Sequence, residues 1–464
     1  MLIATVRDYL EAVKSGEIKA EDFLPEAIQK AERIQKAYSP FITIDKKARP
    51  SASKGPLYGL PVSIKDSICT NGMQTTAGSK ILEGYIPPFD ATCVTRIKDS
   101  GAAIIGKTAM DEFGFGTFST NCAYGAPKNP LDIERSCGGS SGGAGCITAA
   151  ADFPHIAIAQ STGGSITAPA AFTGTVGLTP TYGRVSRYGL IDYSNSMDKI
   201  GVISKCVYDS ALMLSVISGH DPLDSTSSEV KSEDFTKHLN SDVKGMKIAL
   251  PKEYFSSGID PKIAKLVRDK AERLQQLGAK VEDVSLPLTK YAMPAYYMIA
   301  LSEASTNLAK FCGLRYGLQK EIQGNFDEYF SKIRTEGFGE EAKRRIIFGT
   351  YARMAGYRDA YYLKAFKVRA RIIDEFKKTF AKYDALITPS MPILPPKFSD
   401  ISKLSPIQIY NMDIMTTAPN MAGMPTLSVP IGKIDGLPVG MQIISNHFME
   451  GKTIAIGAKI EELK

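Results

Sequence analysis

The 464-residue chain is 44% hydrophobic and 23% charged, enough apolar side chain for a large core and far from the bias of a disordered or fibrous protein. A net charge of +7, from 56 basic and 49 acidic residues with no long run of like charge, is not the footprint of a dedicated nucleic-acid binder. The seven cysteines show no C-x-x-C spacing, which excludes the common zinc and redox motifs and points to a reducing cytoplasm.

Val6, Tyr9, Leu10 and Val13 fall on one helical face, and the pattern recurs from Phe23 to Ile34, predicting a helical segment over about 1–45. Met1 to Asp8 lacks the basic and apolar regions of a signal peptide, so none is expected. Residues 46–54 read as a polar loop around Pro50. Leu60, Val62 and Ile64 then alternate with Ser63 and Lys65, the pattern of a strand that ends on Lys65. A helix is expected over 91–101 and a buried strand over 102–107. The 40 glycines cluster between 101 and 201, which signals tight turns and close backbone approach rather than a linker. Within that region 144–159 is the most apolar stretch, but it is too short to span a bilayer and contains Asp152, Pro154 and His155. Residues 221–242 are polar and read as a surface connection. Strands near 245–251, 280–284, 383–388 and 426–430 then alternate with helices over 261–277 and 366–380. This rhythm predicts an α/β fold with a central mixed sheet flanked by helices on both faces. The chain reads as a single domain, with a core over about 55–227 and a C-terminal α/β part over about 243–464.

Three segments carry chemistry: Val62 to Asp66, Cys137 to Gly143 and Ser161 to Ile166. Taken alone, Gly138 to Gly143 is a flexible turn or a nest of backbone N–H groups that cradles phosphate. A phosphate loop needs a Lys-Ser/Thr pair after the glycines, and Ala144-Gly145-Cys146 does not supply it. The segment also matches G-x-S-x-G, but a nucleophile elbow follows a buried strand, and 131–136 is too polar to be one. Only four histidines are present (His155, His220, His238 and His447), none in a distinctive setting, which argues against a Ser-His-Asp triad. Lys65 reads either as a surface lysine beside Asp66 or as a lysine on the face of Ser63 pointing into a site. Ser165 reads as a helix N-cap after a Gly-Gly turn, which would also set it at the positive end of the helix dipole.

Together the three segments resemble the amidase signature family, from about Gly55 to Ser227 and more loosely to the C-terminus. The resemblance implies that Ser165 is the nucleophile, that Ser140 is a bridging serine after a non-proline cis peptide, and that Lys65 is the base. The two serines lie 25 positions apart, one more than is usual there, with the extra residue near His155-Ile156. Such a triad is chemically sensible. A serine needs an adjacent base, and a lysine serves only if burial or nearby groups keep it neutral. Backbone N–H groups of Thr162, Gly163, Gly164 and Ser165 would form the oxyanion hole.

Further stretches, Thr179 to Leu190, Ser218 to Ser227, Leu301 to Leu308 and Gly339 to Ile346, are similar to the branch formed by A subunits of tRNA-dependent amidotransferases. That branch implies glutamine as substrate, with Arg345 on its carboxylate and Asp413 on its α-amine; the bland readings are a helix-surface arginine and an N-cap aspartate. It also implies a B subunit with kinase and transamidase activity and a C subunit. ATP and magnesium would belong to the B subunit, tRNA would bind through the complex, and this chain would hold no metal and touch no membrane. Three positions depart from the usual pattern: Ser161 replaces an aspartate, Thr167 an arginine and Cys312 an acidic residue. A stand-alone amidase of the same fold and a catalytically silent scaffold are the competing readings. Intact Lys65, Ser140 and Ser165 argue against the scaffold.

Overall fold

The computed structural model describes residues 5–256 and 258–463. In chain order its strands are β1 (Phe41–Ile44), β2 (Pro61–Lys65), β3 (Ala103–Thr108), β4 (Lys128–Asn129), β5 (Asp132–Ser136), β6 (Ile156–Ser161) and β7 (Val176–Thr179). They continue as β8 (Lys199–Ser204), β9 (Lys247–Pro251), β10 (Lys280–Val284), β11 (Ala385–Pro389), β12 (Thr426–Ile434) and β13 (Leu437–Ser445). One eleven-stranded sheet runs β1-β3-β2-β6-β8-β7-β12-β13-β11-β9-β10, and β4 with β5 makes a separate ribbon. The sheet is mixed, as the alternation of helices and apolar strands predicts: β2 lies parallel to β3 and to β6, whereas β8 runs antiparallel to β6 and β7.

Strand side chains alternate between two covered faces. Val62, Ile64, Ile156 and Ile158 share a cluster with Val94 and Ile97 of the helix Thr92–Asp99 and Leu214 of the helix Val207–Ile217. On the opposite face Ala157 and Ala159 meet Ala144 and Ile166, and Ala103 and Ile105 meet Leu24 and Ile28 of the helix Ala20–Tyr38. Each buried Val, Leu or Ile among these contributes roughly 1.5–3 kcal/mol, so the sheet is locked in register from both sides. The helix Pro261–Gln276 shows why its start is readable: Pro261 occupies the first turn and Asp260 accepts from Lys262 N at 2.8 Å.

Three elements bear on the sequence reading. Asp132–Ser136, too polar for a buried strand, is a strand of the exposed ribbon and not of the buried sheet. The helix Ala292–Asn307 is buried on nearly every side, so it has no polar face and no periodicity to detect. The polar stretch 221–242 is partly tied into the body: Asp221 is buried and accepts from Thr92 and Ser186 at 2.5 Å.

The parallel trio β3-β2-β6 brings three carboxyl ends side by side at one edge. Loops leaving such ends form the usual binding crevice of an α/β sheet. Here those ends deliver Lys65, the segment from Ala109 to Gly114, and the turn from Thr162 to Ser165.

Candidate active site

Lys65 closes β2 with its side chain fully buried. Its Nζ lies 2.8 Å from Ser140 Oγ, 2.9 Å from the Gln160 carbonyl and 3.1 Å from Gln160 Oε1. Burial pushes the amine down to about 7 from an ordinary 10.5, against the pull of Asp111 and Asp198. A lysine with this value is neutral for part of the time near neutral pH and can accept a proton.

Ser140 sits in the turn between β5 and the helix Gly142–Ala150, and the Gly139–Ser140 peptide is cis. The glycines of this turn are sterically required. A Cβ at Gly138 would lie 2.8 Å from the Ala168 backbone, and one at Gly139 would lie 2.3 Å from Asp111 Oδ2. The Asp111 N–H donates to the Ser140 carbonyl at 3.1 Å, and Ser141 Oγ donates to the Gln160 carbonyl at 3.1 Å. The Gly/Ser stretch is therefore a packed turn bonded to the ends of β3 and β6, not a flexible loop.

Ser165 ends the turn after β6, where Gly163 passes under Tyr296 and Gly164 against Thr416. A Cβ on Gly164 would lie 2.4 Å from Thr416 Oγ1, so a side chain there would displace the turn. Ser165 is 7% exposed whereas Lys65 and Ser140 are 0% exposed, so only the outermost of the three hydroxyl and amine groups meets the crevice. Among the described residues the Ser165 hydroxyl has no hydrogen-bond partner, and the N–H groups of Gly163, Gly164 and Ser165 donate to no protein group. The expected serine cap is not observed. The following helix is Thr167–Thr173 with Ile166 at its N-cap position, one residue beyond Ser165, and no side chain caps it.

Arg345 and Asp413 reach the same region from the C-terminal half. Arg345, on the helix Glu340–Arg353, is buried rather than on the helix surface. Its Nε donates to Glu341 Oε1 at 2.7 Å and its Nη1 to Tyr193 Oη at 2.6 Å. The rings of Phe115, Tyr193, Tyr297 and Tyr410 surround the guanidinium at 5.0–5.6 Å. Burial opposes its charge, but Tyr193 and Glu341 hold its pKa well above the ordinary arginine value. Asp413 does stand at the N-cap position of the helix Ile414–Met421, yet its side chain caps nothing; Oδ2 accepts from Thr117 Oγ1 at 3.0 Å. Burial raises the Asp413 carboxyl to about 7, and Thr117 and Arg345 oppose the rise. A cleft of about 280 Å³ opens beside Arg345, lined by Gly116, Thr117, Asn121, Glu341, Arg345 and Tyr410, and Asp413 adjoins it through Thr117.

Two buried residues that no motif marks tie the parts together. Asp198 Oδ1 accepts from Thr162 Oγ1 at 2.5 Å and from Gln160 Nε2 at 3.0 Å, while Oδ2 accepts the Tyr193 and Ser194 N–H groups. Tyr193 then reaches Arg345. The signal in the sequence is a lone aspartate at the head of the apolar strand 199–204. Among the described residues no histidine bonds Ser140 or Ser165: His155 is buried 3.0 Å from Ser63 Oγ and pushed down to about 3 by burial, and His447 lies 2.9 Å from the Ala422 carbonyl. Ser63 therefore faces His155 rather than the crevice. Ser161 and Thr167 are buried beside the turn, and no hydrogen bond among the described residues runs from either side chain to Lys65, Ser140 or Ser165.

The sequence profile described as Amidase matches residues 4–454. The chain is 45% identical to the A subunit of glutamyl-tRNA(Gln) amidotransferase from Carboxydothermus hydrogenoformans, over 99% of this chain and 96% of that one. It is 49% identical to the protein of the same name from Methanococcoides burtonii, over 88% of this chain and 85% of that one. Among solved structures it resembles the A subunit of glutamyl-tRNA(Gln) amidotransferase from Thermotoga maritima, with a TM-score of 0.83, 37% identity, and coverage of 99% of this chain and 94% of that one.

Proposed function

This chain belongs to the amidase family, and we propose that within it the chain is the glutamine-hydrolysing A subunit of a tRNA-dependent amidotransferase. Full-length similarity to subunits of that name supports the assignment. The observation that carries the chemistry is the fully buried, hydrogen-bonded Lys65–Ser140 pair, with the more exposed Ser165 on the glycine turn that follows β6.

In this reading the Ser165 Oγ attacks the side-chain amide carbon of glutamine. Its proton passes to Ser140 Oγ as the Ser140 proton passes to Lys65 Nζ. Charge develops on the amide oxygen, where the N–H groups of Gly163, Gly164 and Ser165 receive it, with the Thr162 backbone completing the hole. One such donor is typically worth ~10²–10³ in rate. Collapse breaks the C–N bond, the proton returns through Ser140 to the leaving nitrogen, and ammonia departs. Water then attacks the glutamyl ester on Ser165 by the same relay, releasing glutamate.

Arg345 would bind the α-carboxylate and Asp413 the α-ammonium. A buried cation on the cleft wall, with a buried carboxylate bonded to Thr117 of the same wall, fits a zwitterionic amino acid better than a simple amide. A B subunit would take the ammonia, use ATP and magnesium to activate misacylated Glu-tRNA(Gln) or Asp-tRNA(Asn), and bind the tRNA, with a C subunit completing the assembly in the cytoplasm. Among the described residues no helix is long and apolar enough to cross a membrane.

The test is glutamine-dependent ammonia release by the chain with and without co-expressed B and C subunits, beside Ser165→Ala. The expected result is release that the partners stimulate and the substitution abolishes. Full activity in Ser165→Ala overturns the nucleophile assignment. Brisk cleavage of simple amides with indifference to glutamine makes the chain a stand-alone amidase.

A further inference from the structure

Gln160, the penultimate residue of β6, turns both of its oxygens toward Lys65. Its amide has only one orientation that satisfies its neighbours. Nε2 donates to Thr162 Oγ1 at 2.7 Å and to Asp198 Oδ1 at 3.0 Å, which leaves Oε1 for the lysine. Asp198 is itself fixed as an acceptor by four donors, the Gln160 amide, the Thr162 hydroxyl and the N–H groups of Tyr193 and Ser194. The orientation of Gln160 is thus set from behind by a carboxylate already held in place.

The proton count at Lys65 gives this arrangement a consequence. A neutral amine has two N–H groups and one lone pair; an ammonium has three N–H groups and none. If the two Gln160 oxygens accept two N–H groups in both states, only the third position changes when a proton arrives or leaves. That position faces Ser140 Oγ at 2.8 Å.

We propose that Gln160 is a positioning residue of the relay, whose main-chain and side-chain oxygens pin two N–H groups of Lys65 and aim its lone pair at Ser140. The inference rests on the reading of Lys65 as the base. Of the charged groups around the lysine, Asp111 follows β3 and Asp198 precedes β8. Asp66, just after β2, and Lys107, on β3, lie 3.8 Å from one another. Substitution at 160 alters none of these four residues, but Gln160→Met also removes one of the four donors to Asp198, whose carboxyl burial raises to about 7.

The experiment uses the assembled enzyme and follows ammonia release from glutamine between pH 5.5 and 10. Gln160→Met keeps the length and removes the side-chain acceptor. kcat should fall about 10- to 10²-fold, the scale of one lost buried hydrogen bond, with KM for glutamine unchanged within about twofold. The rising limb of the profile should move to lower pH, because the ammonium has lost an acceptor. Gln160→Glu should move the same limb to higher pH, because the added negative charge holds the ammonium. A merely structural role would lower the active fraction and leave both limbs where they are. Wild-type kcat and limb in Gln160→Met, or limbs unmoved in both variants, overturn the inference. If Gln160→Met does not assemble, the limb of Gln160→Glu decides. Ser165→Ala separates the two levels: if it is dead while Gln160→Met is normal, only the role of Gln160 is wrong. If Ser165→Ala is fully active, the triad reading fails with it.

Discussion

Lys65, Ser140, Gln160 and Asp198 stand on strand ends and glycine turns of the N-terminal half, within a solid hydrogen-bonded block. Arg345 and Asp413 instead come from helices of the C-terminal half and meet the cleft through aromatic rings and hydroxyls. Strand ends pinned in one sheet hold polar atoms to a few tenths of an ångström, which a proton relay requires. Helices packed over the opening can change their residues without disturbing that block. In the proposed function chemistry falls to one region and choice of substrate to the other, and the two meet where Thr416 abuts Gly164 and Tyr193 bridges Arg345 to Asp198.

The largest expected effect lies in the chemical region. Lys65→Met should lower glutamine hydrolysis by ~10³–10⁴, as loss of a triad member does elsewhere, and leave KM little changed. The same variant should reveal a stability signature. The folded amine titrates near 7 and the unfolded amine near 10.5. Below the lower value both states hold the proton and above the upper value neither does. Between them only the unfolded chain binds it, so stability rises with pH at ~1.4 kcal/mol per unit. Lys65→Met lacks this slope, while the buried Lys199 contributes equally to both proteins. Denaturant unfolding of the two proteins at pH 7, 8.5 and 10 should therefore show the wild type gaining on the variant. A constant difference would mean that the folded amine keeps its ordinary pKa.

An intermediate effect should appear in the recognition region. Arg345→Lys keeps the charge but loses the planar fork that bonds Glu341 and Tyr193 together, and a compact ammonium fits the four-ring cage poorly. kcat/KM for glutamine should fall about 10²-fold, mostly through KM, on the scale of a mispaired buried charge. Hydrolysis of a simple amide that lacks the α-carboxylate should change little. An equal loss on both substrates would erase the division between the two regions.

The division also explains which parts are legible in the sequence. The relay is local: Lys65 ends an alternating strand, and Ser140 and Ser165 sit in glycine turns whose backbone tolerates no side chain, so composition marks them. Gln160 and Asp198 meet across 38 positions, and the one signal either gives is an aspartate at the head of an apolar strand, which nothing local ties to Lys65. Ser165 reads as a cap because Gly-Gly-Ser commonly starts a helix; here the helix begins later, and the serine is left to the crevice. Arg345 reads as a surface residue because its helix has no clear apolar face, its exposed surface carrying Ile347, Phe348 and Tyr351. A segment whose outer face is apolar defeats the pattern that normally separates inside from outside.

The smallest effect tests how finely the recognition region is tuned. Glu341 Oε1 accepts from Arg345 Nε and from Tyr410 Oη, both at 2.7 Å, so its carboxylate holds the guanidinium and also offsets its charge. These two roles oppose each other when a substrate carboxylate arrives. Glu341→Gln retains an oxygen that can accept both bonds and deletes the negative charge, so the geometry survives and the repulsion goes. At an effective dielectric near ~20 and some further screening by solvent in the cleft, the gain should be a ~2–5-fold lower KM for glutamine with kcat unchanged. Glu341→Ala deletes the acceptor as well, frees the arginine to leave the cage, and should raise KM instead. Opposite signs for the two substitutions identify Glu341 as a moderator of Arg345; a rise in KM for both would mean that its charge, and not only its oxygen, is needed to keep the arginine in place.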